Sequence, residues 1–218
     1  MIELGQPVLG SSVSSILCLG AHADDIEIGC GGFLLQLLQM NPGVRVTWVV
    51  LSGPDDRATE ARRSAERVLQ GAANVDVQVM ELREGYFPYV GSQVKEVFDA
   101  LGHEVAPDLV LTHYGHDLHQ DHRVVCELTW NTFRDHLILE YEIPKYDGDL
   151  GSPNVFVKLD AATCERKIAH ILEAFPSQRS KPWFTGETFW ATLRLRGIEC
   201  RSRTGFAEGF FCRKLVLA

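Results

Sequence analysis

SILCLGAHADDIEIGCGGFLLQLLQM, residues 15–40, is the stretch from which the fold is read. Residues 15–20 are a short apolar run of the kind that forms a buried strand. Residues 28–40 have the composition of a helix, and Asn41-Pro42-Gly43 ends it. A strand that hands directly to a helix opens a crossover unit. Between the two lie His22, Asp24, Asp25 and Glu27. Adjacent carboxylates repel each other, so this turn calls for a compensating positive charge. The positive end of the helix supplies part of it. Gly29, Gly31 and Gly32 are expected to let the helix pack close to the strand.

The alternation continues outward. Residues 44–53 form a second, β-branched strand, and 55–72 an amphipathic helix with acidic residues in its first turn. A third strand is expected over 75–82, a helix over 92–105 with Ser92 as N-cap, a fourth strand over 108–115 and a helix over 120–134. Such a chain is of the α/β class, with right-handed crossovers and a mainly parallel sheet covered on both faces. Beyond residue 136 the pattern loosens. Residues 137–144 and 154–160 read as strands, 161–175 as a helix and 209–217 as a terminal strand, adding C-terminal edge strands to the sheet.

The 218 residues are 45% hydrophobic, enough for one core, and no repeat or low-complexity stretch divides them, so residues 1–218 read as a single domain. A net charge of -8 argues against a nucleic-acid partner, which needs a basic face. It still admits a charged small molecule in a local pocket. The N-terminal MIELGQPVLGSSVSS has neither a basic nor an apolar leader region, and no apolar run approaches the roughly 18 residues of a membrane span. Cys18, Cys30, Cys126, Cys164, Cys200 and Cys212 form no CxxC pair and lie largely in apolar segments. That is the pattern of reduced, buried thiols in a cytoplasmic protein.

In sheets of this type, sites lie at the carboxyl ends of the strands. The first charged cluster falls there after strand one. HDLHQDH, residues 116–122, falls there after strand four and carries His116, Asp117, His119, Asp121 and His122, with His113 on the strand itself. Imidazoles and carboxylates together hold divalent first-row metals, and a catalytic site uses three such ligands and leaves room for water. A histidine and a carboxylate three residues apart in the first turn, with one histidine of the second, make such a set. The remaining carboxylates are then free to take a proton or to hold histidine N–H groups. The plainer reading is that aspartates at a helix start are caps. His103, His136 and His170 stand alone and read as structural or solvated. GCGG lacks the GxGxxG spacing and faces an acidic trio, which disfavours a dinucleotide. Two histidines and a carboxylate also form the facial set of non-haem iron oxygenases, but those more often use β-barrels.

AHADDIEIGCGG resembles the AHPDDE-type motif, and HQDHRVV the HxDH motif, of the PIG-L/LmbE-like zinc-dependent N-deacetylases. Those enzymes remove acetyl from N-acetylglucosamine units in lipid, thiol-cofactor and antibiotic precursors. Ser177-Gln178 and the AEGF segment at 207–210, similar to the family's AEAF, extend the resemblance over most of the chain. It implies a Rossmann-like three-layer sandwich and Zn2+ as cofactor, with Fe2+ or another divalent ion as alternatives. It also implies a hydrolase that removes the N-acetyl group from an N-acetylglucosamine-type sugar, free, nucleotide-linked or glycosidic. By position, His22, Asp25 and His122 are the implied metal ligands, and Asp24 the general base toward the attacking water. His119 is implied to face the oxyanion or to protonate the leaving amine, and Asp121 to orient a histidine. Glu27 is expected to hold the turn or a histidine. Ala23 replaces the usual proline and Phe206 a frequent tyrosine; neither is an implied ligand or base.

Loops 53–60, 83–91, 144–155 and 176–187 are expected around the site. Arg57 is the candidate substrate-binding residue, with a first-turn ion pair as its plainer role. Tyr86, Phe87, Tyr89, Trp183 and Phe184 suit stacking on a sugar or covering the core edge, and Lys145, Arg179 and Lys181 offer a positive patch. The absence of a basic amphipathic surface helix favours a small soluble N-acetylated sugar as partner over a membrane lipid. Residues 136–160 leave room for a homo-oligomer. The alternatives are a deacylase of another N-acyl amine and, from a different class, a non-catalytic sugar-binding protein of the same fold.

Overall fold

The computed structural model describes residues 13–54 and 56–216. Most of the N-terminal segment read for a leader, the expected helix start at Asp55 and the last residue of the expected terminal strand lie outside the described residues.

The elements alternate from the start: β1 (Ser15–His22), α1 (Asp25–Met40), β2 (Arg45–Ser52), α2 (Asp56–Val68) and β3 (Asn74–Val79). After a 3-10 turn at Phe87–Tyr89 come α3 (Gly91–Glu104), β4 (Leu109–His113), α4 (Gln120–Thr132) and β5 (Leu137–Tyr141). Then follow β6 (Val155–Leu159), α5 (Ala161–Ala174), α6 (Gly186–Glu199) and β7 (Phe206–Phe211). The strands form one seven-stranded sheet in the order β3-β2-β1-β4-β5-β7-β6. β1 to β5 pair in parallel, and β7 runs antiparallel to both of its neighbours.

Period-two alternation along β1 builds the three layers. Ile16 and Cys18 face one core with Leu34 of α1, Ala65 of α2, Ile168 of α5 and Phe189 of α6. Leu17, Leu19 and Ala21 face the other with Phe98 of α3 and Val125 of α4. Among the described residues no helix is long and apolar enough to cross a membrane.

The strand order reverses between β1 and β4, and the two strands part there. Their pairing ends at Cys18 and Leu111. Farther along, the Ala21 N–H, left without a strand partner, donates to His113 Nε2 at 2.9 Å. A side chain thus replaces a ladder bond, and a crevice opens at the carboxyl end of the sheet.

α1 is kinked at Cys30 (φ -142°, ψ 15°). The backbone groups released by the kink are taken up by a buried pair: Glu208 accepts from the N–H groups of Gly32 and Phe33, both at 2.7 Å, and Lys167 donates to Ile28 O at 2.7 Å. This is the role of the AEGF segment. The helix lies so close that a Cβ on Gly29 would sit 2.1 Å from the Tyr141 ring, and one on Gly32 2.5 Å from Leu159. Gly31 differs from expectation, since a Cβ there meets only ordinary contacts at 3.7 Å.

Four further expectations are corrected. Helix α3 begins at Gly91 behind the 3-10 turn, so Ser92 lies inside it and Val90 is the uncapped N-cap. The last strand covers 206–211 rather than 209–217. α1 begins at Asp25, and α6 was not foreseen. All six cysteines are free, five of them buried.

Candidate metal and active site

Two strand-to-helix turns meet over the crevice, β1–α1 and β4–α4. Each brings a histidine whose outer ring nitrogen is held by a carboxylate. His22 Nε2 lies 3.1 Å from Asp121 Oδ2, and His122 Nδ1 lies 2.9 Å from Asp117 Oδ2. Asp121 is itself fixed by the backbone N–H groups of Gly85 (2.6 Å) and Phe87 (3.1 Å). Each carboxylate fixes its ring's tautomer by accepting the outer N–H, which leaves the inner nitrogens as acceptors.

Those inner nitrogens face each other. His22 Nδ1 is 3.2 Å from His122 Nε2. Asp25 brings its oxygens to 3.3 Å from the first and 3.6 Å from the second. The two ring nitrogens and the Asp25 carboxylate thus lie together, with Asp25 Oδ2 also accepting the His22 backbone N–H at 2.6 Å. Tetrahedral ligand bonds of about 2.0–2.1 Å place donor atoms about 3.3–3.4 Å apart, so the spacing suits a metal ion. All three residues are at most 6% exposed. Two groups of three donors have all their ligand atoms within 4.8 Å: His22, His119 and His122, and Asp25, His113 and His122. His113, which the motifs did not single out, comes within 3.2 Å of Asp25, but its Nε2 already accepts the Ala21 N–H, so it borders the cluster with that lone pair taken.

The titration pattern follows from the same convergence. Burial works against charge on His22, but Asp25 and Asp121 outweigh it and raise the imidazole to about 10. Burial and then His113 lower His122 to about 3. One proton on His22 therefore occupies the place a cation would take. Burial also opposes charge on Asp25, yet His122, His113 and His22 hold its carboxyl well below the usual range.

Asp24, its neighbour, behaves in the opposite way. Burial and then Asp25 push its carboxyl up, against the pull of Arg57, Lys181 and His22. Asp24 stands at the N-cap position of α1, but its side chain makes no capping bond, so the plain-cap reading does not hold. It turns to Arg57, whose Nη2 lies 3.3 Å from Oδ1. Arg57 also pairs with Glu84, while its Nε is buried without a partner.

His119 is the N-cap of α4. Its Nδ1 accepts from the Asp121 N–H at 3.3 Å, which leaves the ring proton on Nε2. Burial and then His22 lower its pKa. Its ring centroid stands 4.8 Å from that of His22 and 4.6 Å from that of His122.

Glu27 leaves the cluster. It accepts from Ser64 Oγ, which lies 2.7 Å from His170 Nε2, and it touches none of the site histidines. Burial pushes its carboxyl up to about 8 against the Ser64 hydrogen bond. Of the expected positive patch, Lys181 acts on Asp24, Lys145 is taken up by the carboxylates of Asp117 and Asp149, and Arg179 donates to Leu172 O. Phe87 and Phe184 are buried in the core, whereas Tyr86 and Tyr89 are 39% and 80% exposed. Asp117 was legible as part of the second cluster but not as the partner of His122.

The fold and this cluster define a class: doubly wound α/β domains with a histidine–carboxylate site of metal-ligating type at the carboxyl end of a split sheet. The chain belongs to the PIG-L family, described as GlcNAc-PI de-N-acetylase, whose model matches residues 17–133. It is 31% identical over 141 residues to the uncharacterized deacetylase YaiS of Escherichia coli, covering 59% of this chain and 74% of that one. The fold is shared with the N,N'-diacetylchitobiose deacetylase of Pyrococcus horikoshii: TM-score 0.70, 19% identity, 95% of this chain and 86% of that one. It is equally shared with GalB, the 4-carboxy-2-hydroxymuconate hydratase of Pseudomonas putida: TM-score 0.75, 16% identity, 94% and 98% covered.

Proposed function

We propose that residues 1–218 form one catalytic domain of a metal-dependent amide hydrolase that removes the N-acetyl group from an N-acetylglucosamine-type sugar. The observation that supports this reading is the meeting of His22 Nδ1, His122 Nε2 and the Asp25 carboxylate within 3.2–3.6 Å of one another. His22, Asp25 and His122 would hold the ion. Their N and O donors suit zinc, and suit Fe2+ as well. When bound, such an ion supplies Lewis acidity, lowering the pKa of a water toward about 7 and favouring negative charge on a carbonyl oxygen.

The remaining steps belong to the chain's own groups. Asp24 is the general base: its environment favours proton uptake, and Arg57 fixes its orientation. Asp24 accepts the proton of the attacking water as the new C–O bond forms at the acetyl carbon. His119, with its proton on Nε2, donates a hydrogen bond to the developing oxyanion; a neutral ring suffices for this. The C–N bond then breaks, the proton held by Asp24 passes to the departing nitrogen, and acetate and an amine leave. Asp121 and Asp117 keep the two histidines in the required tautomers.

Support for the sugar comes from the family description and from the diacetylchitobiose deacetylase that shares the fold. The free cysteines fit a cytoplasmic setting. The hydratase of the same fold makes product analysis the decisive test. The metal-loaded protein is incubated with N-acetylglucosamine, its nucleotide-linked form and an aryl glycoside. Equal amounts of acetate and free amine are expected from at least one. Amine release only from longer N-acyl analogues would redirect the reading to a different deacylase. Binding without release would establish a sugar-binding protein instead.

A further inference from the structure

We propose that Lys145 is a positioning residue for His122, acting through Asp117, so that the loop between β5 and β6 forms part of the metal site's frame. The inference rests on reading His122 as a metal ligand. Asp117 is a three-way junction. Its Oδ2 takes His122 Nδ1 at 2.9 Å and Lys145 Nζ at 3.0 Å, and its Oδ1 takes the His119 N–H at 2.8 Å. Lys145 also binds Asp149, and Asp149 Oδ2 accepts the Leu118 N–H at 2.6 Å. Residues 145–149 thus strap the turn that carries both His119 and His122.

The charged side chains that fasten the strap are buried. The side chains of Lys145, Asp117 and Asp149 are 7%, 3% and 6% exposed, so solvent screens their interaction little. One ammonium serves two buried carboxylates there, and the exposed Asp147 stands 4.0 Å off. Without that ammonium the two carboxylates repel, the strap opens, and Asp117 loses the contact that holds it against His122. An outer carboxylate that drifts no longer fixes the tautomer or the ring plane of the ligand. Sequence gives no hint of this, because Lys145 lies 23 residues beyond His122 in a loop of ordinary polar composition.

The test is the affinity of the metal-free protein for Zn2+, measured by competition with a chelator at fixed pH. Asp117→Asn should weaken binding by about 10–100-fold, as expected for a direct partner of a ligand. Lys145→Met should weaken it by about 10-fold, and Lys145→Arg should restore it to within about 3-fold. In the Asp117→Asn background, Lys145→Met should change nothing further, because its route is already cut. Should Lys145→Met fail to fold, Asp149→Asn supplies the same comparison, with a smaller loss expected. Wild-type affinity in Lys145→Met, or an undiminished effect in the Asp117→Asn background, overturns the inference alone. Failure of the wild-type protein to bind Zn2+ overturns the metal reading and this inference with it.

Discussion

Two buried charge clusters sit on the same helix and are built in opposite ways. At the kink of α1, every group has a partner: Glu208 takes two backbone N–H groups and Lys167, and Lys167 also reaches Ile28 O. At the start of α1, Asp25 and two imidazole nitrogens turn their lone pairs toward one another. The first cluster brings its own counter-charge and ties the helix to β7. The second is balanced by a proton on His22 that a bound ion would displace. Buried charge that serves the fold is neutralised within the chain, whereas buried charge that serves chemistry waits for something from outside.

The largest effects test the second cluster. Asp25→Ala should lose metal by at least about 100-fold and take turnover to background, by metal analysis and an amine-release assay. Its metal-free form should unfold at a somewhat lower urea concentration than metal-free wild type, because protonated His22 loses its carboxylate partner while only the repulsion from Asp24 is relieved. Asp24→Asn should keep its metal and lose about 10²–10⁴-fold in turnover. Normal turnover in that variant removes Asp24 as the base. Glu208→Ala comes next. It leaves Lys167 buried without a counter-charge, and should cost about 3–5 kcal/mol in urea unfolding, with or without metal. If Asp25→Ala destabilises the metal-free protein as much as Glu208→Ala does, the contrast between the clusters fails.

A pH series sharpens it. Below about 10, His22 of the metal-free protein holds a proton that an ion must displace. Zn2+ binding should therefore release a proton, and affinity should rise about tenfold per pH unit between pH 6 and 8. A flat profile would falsify the idea that proton and ion compete for one place. The smallest effect is at Gly31. With only ordinary contacts awaiting its Cβ, Gly31→Ala should change stability by less than about 1 kcal/mol, in the stabilising direction. Gly29→Ala, aimed into Tyr141, should lose about 1–3 kcal/mol or more in the same thermal or urea measurement.

The parallel half of the fold was readable because its strands are continuous apolar runs closed by punctuated helices. The C-terminal half was less so. Helix α6 escaped because its polarity is inverted at key places: Arg196 is buried against Glu142, while Leu195 and Ile198 are 44% and 60% exposed. The terminal strand was placed late because Glu208 looks too polar for a buried strand, and its partner Lys167 is 41 residues away. At the site, His22, Asp25 and His122 were nameable because short motifs keep them at fixed spacing. Glu27 turns to Ser64 and not to a site histidine, because direction around a helix start, not distance along the chain, decides what a side chain meets. His113 and Lys145 reach the cluster through strand splay and a long loop, and neither leaves a spacing to read.

Asp121 is held by the main chain at Gly85 and Phe87, not by side chains. Tyr86, between them, is free to be replaced, but the path of the loop is not. A substitution at Tyr86 alters a side chain that is 39% exposed, whereas an insertion or deletion would move the two N–H groups that hold Asp121.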